Sequence, residues 1–296
     1  MAIQKIPVLK QFANLWTLIH QPDIDDTKKE WSMDEKFKQA KKQGFDSVGI
    51  WADPDLFLPL AQKHKLALVV YIDSNAKNYK AKLEAAAKCK PARVNVQMCD
   101  HDTLPKDAVK VWLAMMEYAK KLGIADIIDL EVHRDTCTET PEKTYEIAKL
   151  YQQKTKKKIQ MSFDFSHFAV VKHIYPPYKN RLLVERLDLT QFARQIHLRP
   201  FNGHHCQVPL TNGQGKISEE GKAYVEFVSD LLAEWLKGPQ AKAGATLYVC
   251  PEFGPRCSAY GLTTFPDVWK DACLLRKETD KIWKKHLTAF KSGKLK

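Results

Sequence analysis

The chain alternates short apolar runs with longer amphipathic segments from one end to the other. Each apolar run is five to nine residues long and is bounded by Gly, Pro, Asp or Lys, which is typical of buried β-strands. The pattern predicts eight strands, and these are Val8–Trp16, Ser47–Trp51, Leu66–Ile72, Arg93–Met98, Ile127–His133, Ile159–Asp164, Ala193–Leu198 and Thr246–Glu252.

The segments between these runs have the periodicity of helices. Ser32 and Glu35 form a capping box, which predicts the start of the first helix. Three longer helices are predicted because their apolar residues fall on one stripe, and they span Pro105–Leu122, Pro141–Thr155 and Glu219–Leu236.

Eight strands that alternate with helical sequence indicate a parallel sheet. Closed on itself, this sheet is a (β/α)8 TIM barrel, so we predict an α/β fold with one domain over residues 1–296. An open doubly wound sheet is the alternative, but no GxGxxG turn follows any strand. Two longer connections, at about 170–187 and 201–217, are expected to cover the active end of the barrel.

The net charge of +12 raises the question of nucleic-acid binding. The lysines, however, are spread along polar helix faces, as in Lys36–Lys42 and Lys154–Lys158, and we interpret these as solvated faces. No nucleic-acid partner is therefore expected.

The seven cysteines form no CxxC pair, which indicates a reducing compartment. No apolar run approaches the ~18 residues of a membrane span, so no membrane association is expected. The first five residues do not read as a signal peptide, and a cytoplasmic location is expected unless a leader has been removed.

Four polar residues stand near the ends of four consecutive apolar runs. Glu131, Asp164 and His197 follow one another at intervals of 33 residues, about one strand–helix unit, and Glu252 follows 55 residues later. Each falls among inward-facing polar positions near the carboxyl end of its strand, where barrel active sites lie. Burying three carboxylates and an imidazole there would be costly without a cation. The pattern predicts a site for a hard or borderline divalent metal ion.

The alternative to a metal site is a separate structural role for each of the four residues. These roles are an ion pair of Glu131 with Arg134 or Arg199, a turn cap at Ser166 for Asp164, a satisfied core position for His197, and an ion pair of Glu252 with Arg256. Four such coincidences at consecutive strand ends are less expected than one shared metal site.

Further candidates lie near these strand ends. His133 shares a face with Glu131 and is either a catalytic base or a residue that holds Glu131 in place. Arg199 would anchor a substrate oxygen or form a structural ion pair. His205 lies in a loop beyond the seventh strand, within reach of substrate. Trp51 offers an aromatic face to a sugar or forms part of the wall.

The order Glu, Asp-x-x-His, His and Glu at the ends of strands five to eight resembles the xylose isomerase-like superfamily of barrels. That superfamily includes sugar isomerases, ketose 3-epimerases, inosose dehydratases and endonuclease IV-type repair enzymes. The resemblance covers nearly the whole chain in topology and is detailed at these four places. It implies that Glu131, Asp164, His197 and Glu252 bind one Mn²⁺, Co²⁺ or Mg²⁺ and that His167 contacts the substrate.

The resemblance also implies an activity. It favours a divalent-metal-dependent sugar isomerase or epimerase that abstracts a proton next to a metal-bound carbonyl, with Glu131 and Glu252 as acid and base. A small-molecule carbohydrate is then the expected partner, and a homo-oligomer is left open. The chain departs from the ketose 3-epimerases, which have a second Glu at the place of Cys137 and an anchoring Arg farther from the metal His than Arg199.

Two other enzyme classes of the superfamily are alternatives. A lyase of the deglycosidase type would eliminate an aglycone from a 3-keto-glycoside with His133 as base, and the Glu131-Val132-His133 segment favours it. An endonuclease IV-like repair enzyme is suggested by the charge. It needs three metals and an Asp-x-His pair after the seventh strand, which residues 203–206 do not supply.

Overall fold

The structure, a computed structural model, describes residues 5–295. The first four residues, on which the leader-peptide prediction depends, and Lys296 lie outside the described residues. Eight strands pair in parallel and close in the order β1 to β8, with β1 beside β8. Their bounds are β1 Val8–Asn14, β2 Ser47–Trp51, β3 Ala67–Ser74, β4 Arg93–Met98, β5 Ile128–Val132, β6 Met161–Asp164, β7 Gln195–Leu198 and β8 Thr246–Pro251. The predicted single-domain (β/α)8 barrel is confirmed.

Helices surround the barrel and connect its strands. They are α1 Met33–Lys42, α2 Pro54–His64, α3 Tyr79–Lys88, α4 Pro105–Lys121, α5 Pro141–Thr155, α6 Phe165–Val171, α7 Lys179–Leu182, α8 Leu187–Thr190, α9 Glu219–Lys237, α10 Pro239–Lys242 and α11 Val268–Lys291. Short 3-10 helices span Leu15–Leu18, Thr27–Lys29, Ala125–Ile127 and Arg256–Ser258. No helix within residues 5–295 is both long and apolar enough to cross a bilayer.

Local sequence explains where several helices begin. The Ser32 hydroxyl accepts a hydrogen bond from the Glu35 amide at 3.2 Å, which caps α1 as the sequence predicts. Thr140 caps α5 in the same way, with Pro141 at the first helical position. One prediction on α1 is wrong, because Lys36 is buried rather than part of a solvated face. It pairs with Glu30 at the active end of the barrel.

The apolar core has two parts. The larger part fills the layer between the strands and the helices. The smaller part closes the inside of the barrel, where Phe12, Val69, Tyr248 and Cys250 pack together. This cluster fills the barrel interior. The inward-facing polar residues nearer the strand ends lie beyond it, at the open, carboxyl end of the barrel.

Candidate active site

Three of the predicted ligands meet at the carboxyl end of the barrel. Glu131 lies on β5, His197 on β7, and Glu252 directly after β8. The Nδ1 atom of His197 is 2.9 Å from Oε1 of Glu131 and 3.0 Å from Oε2 of Glu252. All three side chains are buried. We call these three residues the ligand cluster.

Amide side chains from neighbouring strands hold both carboxylates of the ligand cluster. Asn95 donates to Oε2 of Glu131 at 2.5 Å, and Asn14 donates to Oε1 of Glu252 at 2.6 Å. Gln195 in turn donates to Oδ1 of Asn95 at 2.7 Å. Each carboxylate therefore has one oxygen fixed by an amide, and its other oxygen is turned toward His197.

Tyr71 closes the cluster from the β3 side. Its hydroxyl is 3.4 Å from Nε2 of His197 and 3.4 Å from Nδ2 of Asn14. The ring is accommodated because β2 has Gly49 opposite it, where a Cβ atom would stand 2.8 Å from the ring. A residue with a side chain at that position would push Tyr71 away from His197.

Asp164, the fourth predicted ligand, stands outside the ligand cluster. Its Oδ2 atom is 3.1 Å from Nη2 of Arg199 and 3.3 Å from Nε2 of His167. The same Nη2 donates to Oε2 of Glu252 at 2.9 Å. One nitrogen of Arg199 thus contacts both carboxylates, and the guanidinium separates Asp164 from the cluster. The other oxygen of Asp164 caps α6 by accepting from the Ser166 amide at 3.0 Å.

The charges of the cluster stabilise one another against the cost of burial. Burial alone would lower the pKa of His197, but Glu252 and Glu131 raise it to about 10. Burial would raise the pKa of Glu252, but His197 and Arg199 lower it to about 2. The pKa of Asp164 is held well below its usual range because Arg199 and His167 outweigh the effect of burial. All three carboxylates are ionised near neutral pH, since the ion pair with His197 also lowers the pKa of Glu131 against the effect of burial.

His133 is a neutral imidazole beside the charged cluster. Burial lowers the pKa of His133 to about 4. Its Nδ1 atom donates to the backbone oxygen of Arg134 at 2.7 Å, which leaves the lone pair on Nε2. The ring lies 4.6 Å from that of His167, centroid to centroid. An uncharged nitrogen with a free lone pair next to a polar cavity has the chemistry of a general base.

The ligand cluster fits a divalent metal ion. Its contacts to His197 Nδ1 are short, yet within the described residues this buried nitrogen makes no hydrogen bond of acceptable geometry. Donor atoms roughly 3 Å apart are what an octahedral ion with bonds of about 2.1 Å requires of neighbouring ligands. One imidazole and two carboxylates suit Mn²⁺, Co²⁺, Zn²⁺ or Mg²⁺. Among residues 5–295 this is the one group of three or more His, Cys, Asp or Glu donors close enough to share an ion.

A cavity of about 740 Å³ opens directly above the cluster. Glu252, His133, Arg199 and Trp51 line it, so four of the predicted site residues share one space. His205 does not line this cavity; it is exposed and contacts Asn202 in its own loop, with His205 Nδ1 3.1 Å from Asn202 Oδ1. The alternative to a metal-binding role for Glu252, an ion pair with Arg256, is not formed, since Arg256 pairs with Asp25.

Comparison with known proteins identifies the fold. No family model and no curated protein matches the chain. Among solved structures, a xylose isomerase domain-containing protein from Salmonella typhimurium LT2 matches with a TM-score of 0.58 and 12% identity, over 93% of this chain and 97% of that one. The chain has the fold of the xylose isomerase-like barrels.

Two further solved structures match over nearly their whole length. The probable 3-DHS dehydratase AsbF of Bacillus anthracis, involved in petrobactin synthesis, has a TM-score of 0.54 and 12% identity over 92% of this chain and 97% of that one. The IolI protein, solved with a bound zinc atom, has a TM-score of 0.51 and 16% identity over 94% of this chain and 99% of that one. At these identities the similarity establishes the fold.

Several residues of this site were not predicted from the sequence. Asn14 ends an apolar run, and its polar side chain at a strand end was the available signal. Tyr71 and Lys36 could not be predicted as site residues, because each fits the pattern of its own segment as an ordinary strand or helix surface residue. Tyr260 comes from the loop after β8, and only the folded structure shows that it lines the cavity.

Proposed function

We propose that the protein is a divalent-metal-dependent enzyme that isomerises or epimerises a small carbohydrate by proton abstraction next to a carbonyl. The observation that carries this proposal is the ligand cluster itself. Two carboxylates and one imidazole are buried within contact of one another at the active end of the barrel, under a cavity large enough for a sugar. The similar IolI protein was solved with a bound zinc atom, which supports a metal site in this fold.

Metal binding and proton transfer would be carried out by the residues of the ligand cluster. Glu131, His197 and Glu252 would hold the ion. Asp164 stays a predicted fourth ligand, although the Arg199 guanidinium lies between it and the ligand cluster. When bound, a divalent ion polarises a sugar carbonyl and stabilises the charge that develops as the neighbouring proton leaves. Glu131 and Glu252 would remove and return that proton, because each keeps one oxygen fixed by an amide and the other turned inward.

Other residues would bind and orient the sugar. His167 lies beside Asp164 and packs against His133, which lines the cavity. Arg199 carries two buried N–H groups, on Nε and Nη1, that have no partner in the described residues. Trp51 presents a half-exposed ring at the end of β2. His205 remains a predicted contact that would need its loop to fold over the cavity.

A lyase is the second candidate, and His133 is the observation that favours it. A neutral imidazole with its lone pair on Nε2 can take the proton whose loss starts a β-elimination. The similar Bacillus anthracis protein is described as a probable dehydratase, which is also elimination chemistry. The same site would then act on an oxidised sugar rather than exchange its carbonyl position.

Metal analysis and isotope exchange test the proposed function. Purified protein should bind about one equivalent of a divalent ion per chain, and it should exchange deuterium from solvent into at least one member of a panel of aldoses, ketoses and 3-keto-glycosides. We expect Glu131→Gln and Glu252→Gln to reduce exchange by about 10²–10⁴-fold. Glu146→Gln, on the exposed side of α5, is the matched control and should not change it.

The outcomes separate the candidates. Exchange that is as fast in both glutamine variants as in the unmodified protein would remove Glu131 and Glu252 as bases. Full turnover of a 3-keto-glycoside by His133→Asn would dispose of the lyase. A protein that binds no divalent ion at millimolar concentration would end the proposal as a whole.

A further inference from the structure

We infer that the substrate is a sugar that carries an aromatic group, and that a second compartment of the cavity binds this group. The inference rests on the proposed function, and it names the substrate class of the same site. The cavity of about 740 Å³ is in the upper part of the ~300–1,000 Å³ range that holds drug-sized ligands. A single sugar ring placed on the ligand cluster leaves much of that space unfilled.

The cavity has two chemically different ends. Over β3 to β8 its walls are polar, with Tyr71, Gln97, His133 and Glu252. Over β1 and β2 the walls are apolar, and we call this part the apolar compartment; it is lined by Leu15, Trp16, Ile19, Met33, Ile50 and Trp51. The two ends are contiguous, because Asn14, the last residue of β1, donates to Glu252.

Both tryptophans of the apolar compartment are fixed by contacts with neighbouring side chains, and Trp16 also has the Arg199 guanidinium 5.6 Å from its ring centroid. Trp51 packs edge-on against Phe57, with ring centroids 4.7 Å apart, and is nevertheless 49% exposed. Trp16 packs edge-on against Tyr260 at 5.2 Å. Rigid aromatic walls of this kind bind a flat ring by stacking and by excluding water.

A second sugar ring fits this compartment less well than an aromatic ring. Sugar hydroxyls point outward all around the ring, and each one that loses water needs a hydrogen-bond partner. The six residues of the apolar compartment offer no side-chain oxygen and only the indole N–H groups of the two tryptophans. An aromatic ring makes no such demand, so the walls select it.

One ion pair lines the cavity beside the apolar compartment, since Lys36 lies on α1 three residues after Met33. Lys36 and Glu30 line the cavity and pair with each other, and Lys36 is only 2% exposed. Its ammonium group and the carboxylate of Glu30 together offer a donor and an acceptor. A single hydroxyl on an aromatic ring both donates and accepts hydrogen bonds, so it can pair with both groups. The preferred group is therefore a phenol rather than a plain phenyl ring.

Binding measurements on the whole protein test this inference without depending on turnover. The probes are methyl, phenyl and 4-hydroxyphenyl glycosides of glucose, galactose and xylose, with cellobiose as a two-sugar ligand. Affinity is measured by calorimetry and by the fluorescence of the cavity tryptophans. We expect the phenyl glycoside of at least one sugar to bind at least tenfold more tightly than its methyl glycoside, and the 4-hydroxyphenyl glycoside to bind more tightly still.

Variants assign the effect to the compartment. Trp51→Ala should abolish the preference for phenyl over methyl, and it should fold because Trp51 is half exposed. Leu104→Ala removes another exposed apolar side chain, one that does not line the cavity, and should leave the preference intact. Lys36→Met should remove only the added affinity for the hydroxyl, while the phenyl preference stays.

Equal affinity for methyl and phenyl glycosides, tighter binding of cellobiose, or no binding of any aryl glycoside at millimolar concentration would each overturn the inference. Its failure is distinct from that of the proposed function, because deuterium exchange into simple sugars reports on the ligand cluster alone. If deuterium exchange depends on Glu131 but binding shows no preference for aryl glycosides, the proposed function stands and the binding of an aromatic group in the apolar compartment is refuted.

Discussion

At the scale of single residues, this barrel interior is organised by charges that are buried in pairs. One such pair lies deeper than the ligand cluster: Arg93 donates through Nε to Oδ2 of Asp129 at 2.9 Å, and both side chains are almost fully buried. Burial raises the pKa of Asp129 even beside this partner. A buried pair is a weak source of net stability, but either half alone is very unfavourable.

Removing one half of this pair should therefore destabilise the fold. We expect Arg93→Met to lower the free energy of unfolding by about 3–5 kcal/mol, because Asp129 would be left as an uncompensated buried carboxylate. Urea denaturation measures this change. The double variant Arg93→Met/Asp129→Leu should recover most of it, and a double variant as unstable as the single one would show that the loss comes from packing.

The second residue-scale prediction concerns protons on His197. Glu252 and Glu131 raise its pKa to about 10 in the folded protein without metal, above the ordinary value of 6.5. The resulting stability is complete below about pH 6.5 and is lost as the pH rises through 10. Glu252, whose pKa is lowered to about 2 from 4.5, acts in the opposite direction and loses its contribution as the pH falls from 4.5 to 2.

Metal binding must displace the proton from His197, since a ligating imidazole is neutral. We expect about one proton to be released per metal ion at pH 8, and the apparent metal affinity to rise as the pH increases from 6.5 toward 10. Calorimetry in buffers of different ionisation enthalpy measures the released proton. Metal binding with no proton release at pH 8 would show that His197 is not a ligand.

At the scale of strands and helices, local pattern predicted most of the elements that build the site. The apolar runs of β2 and β4 have the predicted bounds, and α5 begins and ends where its stripe of apolar residues does. Such elements are predictable because a buried strand or an amphipathic helix is specified by its own residues. The capping box of α1 is local in the same sense.

The position of a side chain along the barrel axis, relative to side chains on the other strands, is not a local property and could not be predicted from the sequence. The register pairs Glu131 with Ser162 on β6, whereas Asp164, two residues farther along that strand, pairs with His197. Asp164 therefore lies level with His197, yet its side chain contacts Arg199 and His167, whereas His197 contacts Glu131 and Glu252. Strand ends could be predicted from the sequence, but the stagger that decides which ends meet depends on every pairing around the barrel.

The loop after β8 supplies an element-scale prediction. Gly254 passes so close to the cavity wall that a Cβ atom there would be 2.5 Å from Cβ of Tyr260 and 2.6 Å from Cη2 of Trp16. We expect Gly254→Ala to displace both rings and to weaken turnover by on the order of 10–100-fold, because misplaced walls misplace the substrate. Steady-state kinetics measure the loss.

The control for this change is Gly123→Ala. Its φ of +72° makes an alanine strained, but a Cβ atom there would meet nothing within 4 Å. It should lower stability by roughly 1 kcal/mol without changing the kinetics. Equal kinetic losses in both variants would point to a general loss of stability rather than to the cavity wall.

At the scale of the whole molecule, the ligand cluster ties together strands that are far apart in sequence. Its members come from β5, β7 and the end of β8, and Asn14 adds β1, which pairs with β8 to close the barrel. An ion bound by this cluster would bind the folded chain and have no matching site in the unfolded chain. The closed barrel should therefore gain stability as one unit.

We expect a divalent ion at a hundred times its dissociation constant to raise the free energy of unfolding by about 2.7 kcal/mol, with a single transition in thermal unfolding. Glu131→Gln should lose most of this gain because it removes a ligand. His133→Asn should keep it, since His133 lies outside the cluster and its proposed role is with the substrate. If all three proteins gain equally, the ion binds elsewhere, whereas a gain lost in both variants would place His133 among the groups that hold the ion.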